Sequence, residues 1–425
     1  MSMAIVNGRV LDPGLELDGH FDILIQDGII QQVAPKGQLE AKADQTHDAS
    51  GHLVIPGLTD LRVHVREPGQ EYKEDIQSAS EAAVAGGFTT IVAAPSGPIA
   101  MDTPEMVEHV IRRGKEVGLC AVEAATSITQ GRRGDVLTEV ATTKRAGAKI
   151  VCEGARTIAS AQLMRSALEY ATDFELTIMA YAQEATLADA GHMHEGVMST
   201  CLGLRGIPRA AESTIVNRDI ALAELTGAKL HLSQITCAES VAMIRDAKKR
   251  GVNVSADVSP NHLVFIDKNL SEFDTNLKLE PPLREPSDRD ALWAGLADGT
   301  IDAIATGHAP QTMLEKDQTF ASASTGALGL QTALSAVLTA AKGGPASMEV
   351  VIKAFTQGAS LVLRNAYEGI AEGASASLVV VDLEVEWTLK PEDIKSKSKN
   401  SPMTNRPLRG RVEKTFFDGR LVYSS

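Results

Sequence analysis

The sequence predicts an α/β fold, a (β/α)8 TIM-type barrel plus a small β-sandwich domain built from both chain ends. Between about Leu53 and Arg364, eight short apolar runs alternate with longer Ala- and Glu-rich stretches. Both ends of the chain instead carry short alternating apolar and polar stretches broken by turn signals. Eight strand-plus-helix units in roughly 310 residues match the size of a closed barrel. We therefore expect the barrel over residues 55–365 and the composite β domain over residues 1–54 and 366–425.

The chain ends predict β hairpins. "DILIQDGIIQQVAP" alternates around Asp27-Gly28, and "GRVEKTFFDGRLVY" has Asp418-Gly419 at its centre. Asp-Gly between alternating segments is a strong hairpin signal. Since both ends share this pattern, the simplest arrangement pairs them in one domain with the termini close together.

The eight apolar runs of the middle segment predict parallel strands with crossover helices. An open doubly wound sheet is the competing fold, but no G-x-G-x-x-G follows any of the runs. In a barrel, chemistry lies at the carboxyl ends of the strands. In chain order the runs are "HLVIPGLTDL", "FTTIVAAPS", "GLCAVEAATS", "AKIVCEG", "LTIMAYA", "AKLHLSQI", "VNVSADVS" and "IDAIATGHAP".

Composition excludes several classes of function. The formal charge of the 425 residues is −14 and no basic cluster stands out, so nucleic acid is not an expected partner. No apolar run reaches the roughly 18 residues of a membrane helix, and no secretory signal is visible. Four scattered cysteines suggest a reducing compartment, so we expect a cytoplasmic protein. The basic tract "KSKSKN", from Lys395 to Asn400, is interpreted as a solvated loop.

The first strand end carries Arg62 and His64 where a metal-dependent barrel would carry His-x-His. Residues i and i+2 of a strand point to the same side, so two histidines there would aim at one metal. Arginine has no lone pair to donate. About 4 Å from a dication, it would be repelled by about 8 kcal/mol at an effective dielectric of about 20. Arg62 alone could therefore prevent a metal ion from binding at this site.

Other strand ends offer few metal ligands. Tyr181 and Gln234 stand at two ends, and Gly307 presents no carboxylate before His308. Glu153 remains, and an ion pair between Arg62 and Glu153 would fill the space of a metal. We expect His262 and His308 to be structural, and His192 and His194 of "GHMHEG" to lie in a surface loop. Cys152 and Cys237 show no neighbouring base in the sequence, so neither is expected to be a nucleophile.

The chain resembles the long-chain dihydroorotases of the amidohydrolase superfamily over nearly its whole length. The segments that carry the resemblance include "PGLTDLRVHVREPG", "EAAVAGGFTTIVAAP", "GIPRAAES", "LHLSQITCAESV", "NLKLEPPLREPSDRD" and "IDAIATGHAP". Active members carry a pair of histidines, a metal-binding aspartate, two further histidines and a catalytic aspartate. By this resemblance the degenerate site comprises Arg62, His64, Glu153, Tyr181, Gln234 and Gly307.

The resemblance also extends to the substrate shell. Arg66 matches the arginine that holds the substrate carboxylate, so it is the residual anion-binding candidate. Ser96 and Glu280 stand where the family has asparagines, and Gln311 where it has a histidine. With most ligands and the base replaced, no zinc or other cofactor is expected. The resemblance then implies a pseudo-dihydroorotase, a non-catalytic subunit that holds aspartate transcarbamoylase in a mixed oligomer for pyrimidine biosynthesis.

Three hypotheses remain open at this point. The first is the structural subunit, which we expect also to form a homo-oligomer. The second is an active, zinc-dependent dihydroorotase with a rearranged site; an allantoinase or hydantoinase relative is less favoured and would need the same metal. The third is a ligand sensor in which Arg66 and the emptied pocket bind an acid without turning it over.

Overall fold

The protein was analysed as a computed structural model that describes residues 2–39 and 43–425. Residue 1 and residues 40–42 of the predicted N-terminal β segment lie outside the described residues. The strands are β1 Ser2–Val6, β2 Arg9–Asp12, β3 Leu17–Gln26, β4 Ile29–Pro35, β5 Gln45–Asp48, β6 Leu53–Pro56, β7 Leu58–Val63, β8 Phe88–Ala93, β9 Ala121–Thr126, β10 Ile150–Cys152, β11 Thr177–Tyr181, β12 Met193–His194, β13 Gly206–Ile207, β14 Leu230–Ser233, β15 Val254–Val258, β16 Ala303–Ile304, β17 Leu378–Thr388, β18 Pro407–Phe417 and β19 Arg420–Ser424.

The helices alternate with the strands of the middle segment. Their bounds are α1 Ile76–Ala85, α2 Pro104–Val117, α3 Val140–Arg145, α4 Ala161–Asp173, α5 Ala185–Ala188, α6 Val197–Leu202, α7 Ala210–Thr226, α8 Ala238–Lys249, α9 Pro260–Val264, α10 Pro286–Ala297, α11 Met313–Lys316, α12 Ala333–Ala341, α13 Met348–Phe355 and α14 Gln357–Val362. Among the described residues, none of these helices has the length and apolarity needed to cross a membrane.

Eight parallel strands form a barrel that is nearly closed. They follow the order β7, β8, β9, β10, β11, β14, β15 and β16. A parallel bridge between Val63 and His308 joins the first strand to the segment after the last, and the His64 backbone N–H donates to the His308 carbonyl at 2.9 Å. Each strand coincides with one of the eight apolar runs. The predicted α/β barrel is thus confirmed, and the carboxyl ends of its strands meet at one mouth.

Burial explains why these runs read as continuously apolar. All six residues of β7 and all five of β11 are buried, because the barrel interior lies on one side of each strand and helices on the other.

The residues at helix termini are set by local hydrogen bonding. Asp75, for example, begins α1 by accepting the Ser78 backbone N–H at 2.8 Å.

A second, mostly antiparallel sheet draws on both ends of the chain. Its nine strands are β1 to β6 and β17 to β19, and β6 pairs with β2 on one side and β17 on the other. The predicted hairpin joins β3 to β4, with Asp27 at φ 51° and Gly28 at φ 84°. Both turn residues need positive φ, which Asp-Gly tolerates. The chain crosses from this sheet to the barrel at Gly57, between β6 and β7; the finer boundaries at 54/55 and 365/366 remain predictions.

The basic tract near the C-terminus is not the solvated loop that its charge suggested. Ser396, Ser398 and Asn400 are buried while the intervening lysines are exposed. The Asn400 side chain accepts the Gln311 backbone N–H at 3.1 Å and donates to the Gly326 carbonyl at 3.1 Å. The alternation of small polar and charged residues is therefore that of a segment lying along the barrel mouth, with one side buried.

Candidate functional site

A cavity of about 180 Å³ opens at the carboxyl ends of the barrel strands. The sequence assigned ten residues to the degenerate site, the anion-binding candidate and the substrate shell. Eight of these ten line the cavity, and the two that do not are Glu153 and Tyr181. The lining residues from that set are Arg62, His64, Arg66, Ser96, Gln234, Glu280, Gly307 and Gln311. They meet because parallel strands end at the same rim, although they are far apart in sequence.

Arg62 lines this mouth and is 2% exposed. Its guanidinium carbon lies 5.1 Å from the centroid of the Tyr181 ring, which is a cation–π contact. Its Nη1 donates to Ser233 Oγ at 3.3 Å, and its buried Nε has no hydrogen-bond partner. Tyr181 and Ser233 end two further strands of the barrel. Arg62 is therefore held in place by neighbouring strand ends, and its positive charge lies where a metal-dependent relative would need ligands.

His64 is buried beside that charge. Burial lowers the pKa of its imidazole well below the usual range, and the charges of Arg66 and Arg62 lower it further. Its Nδ1 is buried without a hydrogen-bond partner. His64 is thus a neutral imidazole with an unused ring nitrogen, one ligand of the several that a zinc ion requires.

Glu153 does not pair with Arg62, so the predicted ion pair is wrong. Its Oε2 accepts the backbone N–H groups of Ile128 at 2.9 Å and Thr129 at 3.1 Å, and its Oε1 accepts the Thr129 hydroxyl. Burial raises the pKa of this carboxyl, and the hydrogen bonds from Thr129 and Ile128 oppose the rise. The loop after β9 supplies these donors. A carboxylate satisfied by backbone N–H groups stabilises that loop, and Glu153 is not among the residues that line the cavity.

Gln234 fills the space beside Gly307. A Cβ added to Gly307 would lie 1.8 Å from Gln234 Nε2, and Gly307 has a φ of 60°. Both facts oppose a side chain at this position, since left-handed backbone favours glycine. By the family resemblance, Gln234 and Gly307 stand where active members have a histidine and an aspartate. These two differences fit together sterically, because the amide of Gln234 takes the volume that an acidic side chain at position 307 would need.

Two other histidines near the mouth have both ring nitrogens engaged. His231 Nε2 lies 2.9 Å from Asp257 Oδ2 and its Nδ1 2.8 Å from Ser255 Oγ. His308 Nε2 lies 3.3 Å from Glu74 Oε2, and its Nδ1 accepts the Gly329 backbone N–H at 3.2 Å. Such saturated histidines serve the fold and offer no free lone pair to a metal.

Arg132 and His262 also line the cavity, and the sequence did not point to Arg132. Arg132 comes from the loop after β9, where its Nη1 donates to the Gly97 carbonyl at 3.3 Å and its Nη2 to the Glu153 carbonyl at 3.2 Å. The sequence signal that could have indicated Arg132 is its place in a loop that directly follows a barrel strand, where functional side chains of barrels lie. His262, expected to be structural, donates from Nε2 to the Pro281 carbonyl at 3.1 Å and keeps a buried Nδ1 without a partner.

The donor set of the mouth does not fit a catalytic zinc ion. Zinc takes three or four His, Cys or carboxylate ligands. Among the described residues lining the cavity, only His64, His262 and Glu280 are of those types, and three arginines stand among them. Both Glu280 oxygens are engaged, by Gln183 Nε2 at 3.0 Å and Thr325 Oγ1 at 3.2 Å.

The one cluster of metal-ligand type within the described residues lies elsewhere. His194, Glu285 and Asp288 come together with ligand atoms within 4.8 Å of one another. Arg209 already binds both carboxylates, at 2.5 Å from Glu285 and 2.8 Å from Asp288. His194 is 2% exposed, so the expectation of a surface loop is wrong for this residue. The cluster is built around a guanidinium ion pair, and its position between β12 and α10 separates it from the mouth.

Comparison with known proteins agrees with this architecture. Residues 51–240 match the family described as "Dihydro-orotase-like". A protein named dihydroorotase from Pelobacter propionicus is 40% identical over 423 residues, which cover 100% of both chains. Another of that name from Anaeromyxobacter dehalogenans (strain 2CP-C) is 41% identical over 421 residues, 99% of this chain and 97% of the relative.

Solved structures show the same fold at lower identity. L-hydantoinase (dihydropyrimidinase) from Arthrobacter aurescens superposes with a TM-score of 0.89 at 21% identity, covering 99% of this chain and 96% of its own. Dihydropyrimidinase from Brevibacillus agri NCHU1002 has a TM-score of 0.82 at 20% identity, covering 100% and 95%. Full-length similarity at about 40% identity is decisive for the family. The chain belongs to the dihydroorotase-like family of the amidohydrolase superfamily.

Proposed function

We propose that this protein is a non-hydrolytic member of its family, a pseudo-dihydroorotase, and that it acts as an assembly subunit for aspartate transcarbamoylase. The observation that carries the first part is Arg62, a buried guanidinium that contacts Tyr181 and Ser233 and lines the barrel mouth. A dication at this point would be repelled by about 8 kcal/mol at about 4 Å and an effective dielectric of about 20.

Among its described lining residues, the mouth also lacks the aspartate that, by the family resemblance, would accept the proton at position 307. Opening a cyclic amide with water needs an activated water and a group that accepts its proton. Gly307 has no side chain for this, and the Gln234 amide beside it is not basic. The carboxylate of Glu153 is engaged by the loop after β9. These three facts support the absence of turnover independently of Arg62.

The assembly role rests on the family resemblance drawn from the sequence. Binding to aspartate transcarbamoylase is the role that such members of the family imply, together with self-association. Neither zinc nor another cofactor is part of the proposal.

A second candidate is an active dihydroorotase. Relatives about 40% identical over the full chain carry that name, which favours it. This candidate needs a metal held by groups other than the replaced ones, with His64 as its first ligand. It makes the opposite prediction for metal content and turnover, so one set of measurements separates the two.

The test uses the purified full chain beside the Pelobacter propionicus relative as a matched positive control. We expect far less than one equivalent of zinc after dialysis, and no ring opening of dihydroorotate or ring closure of carbamoyl-aspartate with added zinc or manganese. Turnover at the pace of the control would overturn the non-hydrolytic assignment and establish the second candidate.

The partner is tested separately by mixing the chain with aspartate transcarbamoylase from the same source and measuring mass by size-exclusion chromatography with light scattering. A stable mixed oligomer is the expected result. Two unchanged separate species, at concentrations well above those in the cell, would refute the assembly role without affecting the assignment of the mouth.

A further inference from the structure

We propose that the cavity at the barrel mouth binds a small oxyanion through Arg62 and Arg132. The ligand class is a compact acid with anionic oxygens and an O–H or N–H donor, of which hydrogen phosphate is the simplest. This inference goes beyond the proposed function, because binding in the cavity requires neither hydrolysis nor a partner protein.

The charge of the cavity is the first argument. Arg62, Arg66 and Arg132 line it, and Glu280 is the carboxylate among the lining residues, all of which are described. Three positive charges and one negative charge leave a net +2. His64 and His262 add no positive charge near neutral pH, since burial lowers the pKa of both imidazoles. Several positive charges that line one cavity together attract an anion strongly.

Unused hydrogen-bonding atoms are the second argument. The Nε atoms of Arg62 and Arg132 are buried and have no partner within the described residues. Buried donors are normally satisfied, and an exception indicates a missing ligand, water or ion. Arginine binds oxyanions especially well, because its planar donors match their geometry. Arg62 near the end of β7 and Arg132 in the loop after β9 both line this cavity, so the two guanidinium groups form a built site.

The histidines define the ligand further. His262 donates from Nε2 to the Pro281 carbonyl, so its unpartnered Nδ1 is an acceptor when the ring is neutral. An anion that also carries a hydrogen can donate to this nitrogen. The volume, about 180 Å³, is below the roughly 300 Å³ at which drug-sized pockets begin, so the ligand is small.

Arg66 contributes its positive charge to the cavity, but its Nε is already engaged. Its Nε donates to the Pro310 carbonyl at 3.2 Å. The distinctive members are Arg62, which replaces a metal ligand of active relatives by resemblance, and Arg132, which the loop after β9 brings to the mouth. Positive charge from arginine thus stands where the metal-dependent relatives place positive charge from a cation.

The experiment is isothermal titration calorimetry of the full-length protein in a chloride buffer, with inorganic phosphate and malonate as two separate probes. We expect saturable binding of phosphate at one site per chain. Malonate shares the anionic oxygens but carries no donor, so weaker malonate binding identifies a phosphate-like ligand, and equal binding identifies any small dianion.

Arg62→Met and Arg132→Met are each expected to weaken binding by at least about 10-fold, the loss of one charge-assisted contact. Arg112→Met is the matched control, because Arg112 lies on α2 with a side chain 70% exposed. Its affinity is expected to stay unchanged. Circular dichroism checks that every variant is folded, and two independent variants guard against the failure of either one.

Two results would overturn the proposal. One is the absence of saturable phosphate or malonate binding up to tens of millimolar. The other is binding that survives in folded Arg62→Met and Arg132→Met alike, which would put the anion elsewhere. Either result leaves the assays for zinc, turnover and assembly untouched, so failure here is distinguishable from failure of the proposed function.

Discussion

The contact between Gln234 and Gly307 gives the sharpest quantitative prediction. Gly307→Ala introduces two separate penalties. A residue with Cβ at φ 60° costs about 1–2 kcal/mol. The new Cβ would lie 1.8 Å from Gln234 Nε2, and overpacking costs about 1–3 kcal/mol. Because the opposing atom ends a flexible side chain beside a cavity, we take the lower part of that range, about 1–2 kcal/mol.

Gly307→Ala is therefore expected to lower the free energy of unfolding by about 2–4 kcal/mol in the wild-type chain. In a Gln234→Ala background only the backbone penalty remains, about 1–2 kcal/mol. The expected coupling energy between the two positions is about 1–2 kcal/mol, within the usual range for residues in contact.

The assay is a double-mutant cycle measured by urea unfolding at pH 7, followed by circular dichroism at one protein concentration. All four proteins are compared: wild type, each single variant and the double variant. A coupling below about 0.5 kcal/mol would mean that the two side chains act independently. It would refute the statement that the Gln234 amide occupies the volume of an acidic side chain at position 307.

Three further predictions concern stability and metal. Burial lowers the pKa of His262 to about 4, so the folded protein holds this imidazole neutral. The free energy of unfolding therefore keeps this contribution above the unfolded pKa of about 6.5, and it falls by up to about 3 kcal/mol as the pH drops from about 6.5 to about 4. Urea unfolding of His262→Gln should show a flatter profile, and an unchanged profile would contradict this cause. His231→Ala is expected to cost about 3–5 kcal/mol, because it leaves the buried Asp257 without its partner at 2.9 Å; a loss below about 1 kcal/mol in thermal or urea unfolding would count against that pair. Treatment with a chelator should leave the melting temperature unchanged in differential scanning fluorimetry, whereas a clear decrease would reveal a structural metal.

The fold was largely predictable because it depends on local patterns. Strands buried on both faces require continuous apolar runs, and crossover helices require Ala- and Glu-rich stretches between them. The hairpin at Asp27-Gly28 follows from two residues that tolerate positive φ. The position of Arg62 and His64 at the mouth follows from alternation along β7 and from the common rim of parallel strands.

Several features of the site depend on contacts that no local pattern contains. Whether Glu153 faces Arg62 or the loop after β9 is decided by the backbone N–H groups of Ile128 and Thr129, which are 25 and 24 residues away in sequence, respectively. Likewise, one side of the C-terminal tract is buried because its small polar side chains meet the barrel mouth.

What the sequence determined by itself was the eight-stranded architecture, the composite sheet and the residue types at each strand end. Only the tertiary structure decided which side chains are already engaged and which remain without partners. Arg132 joins Arg62 at one cavity, and Gln234 meets Gly307, through contacts between segments far apart in the chain. The physical reason is that periodicity sets the side of a strand or helix on which a residue lies, whereas hydrogen-bond partners and free volume depend on which loops the closed barrel brings together.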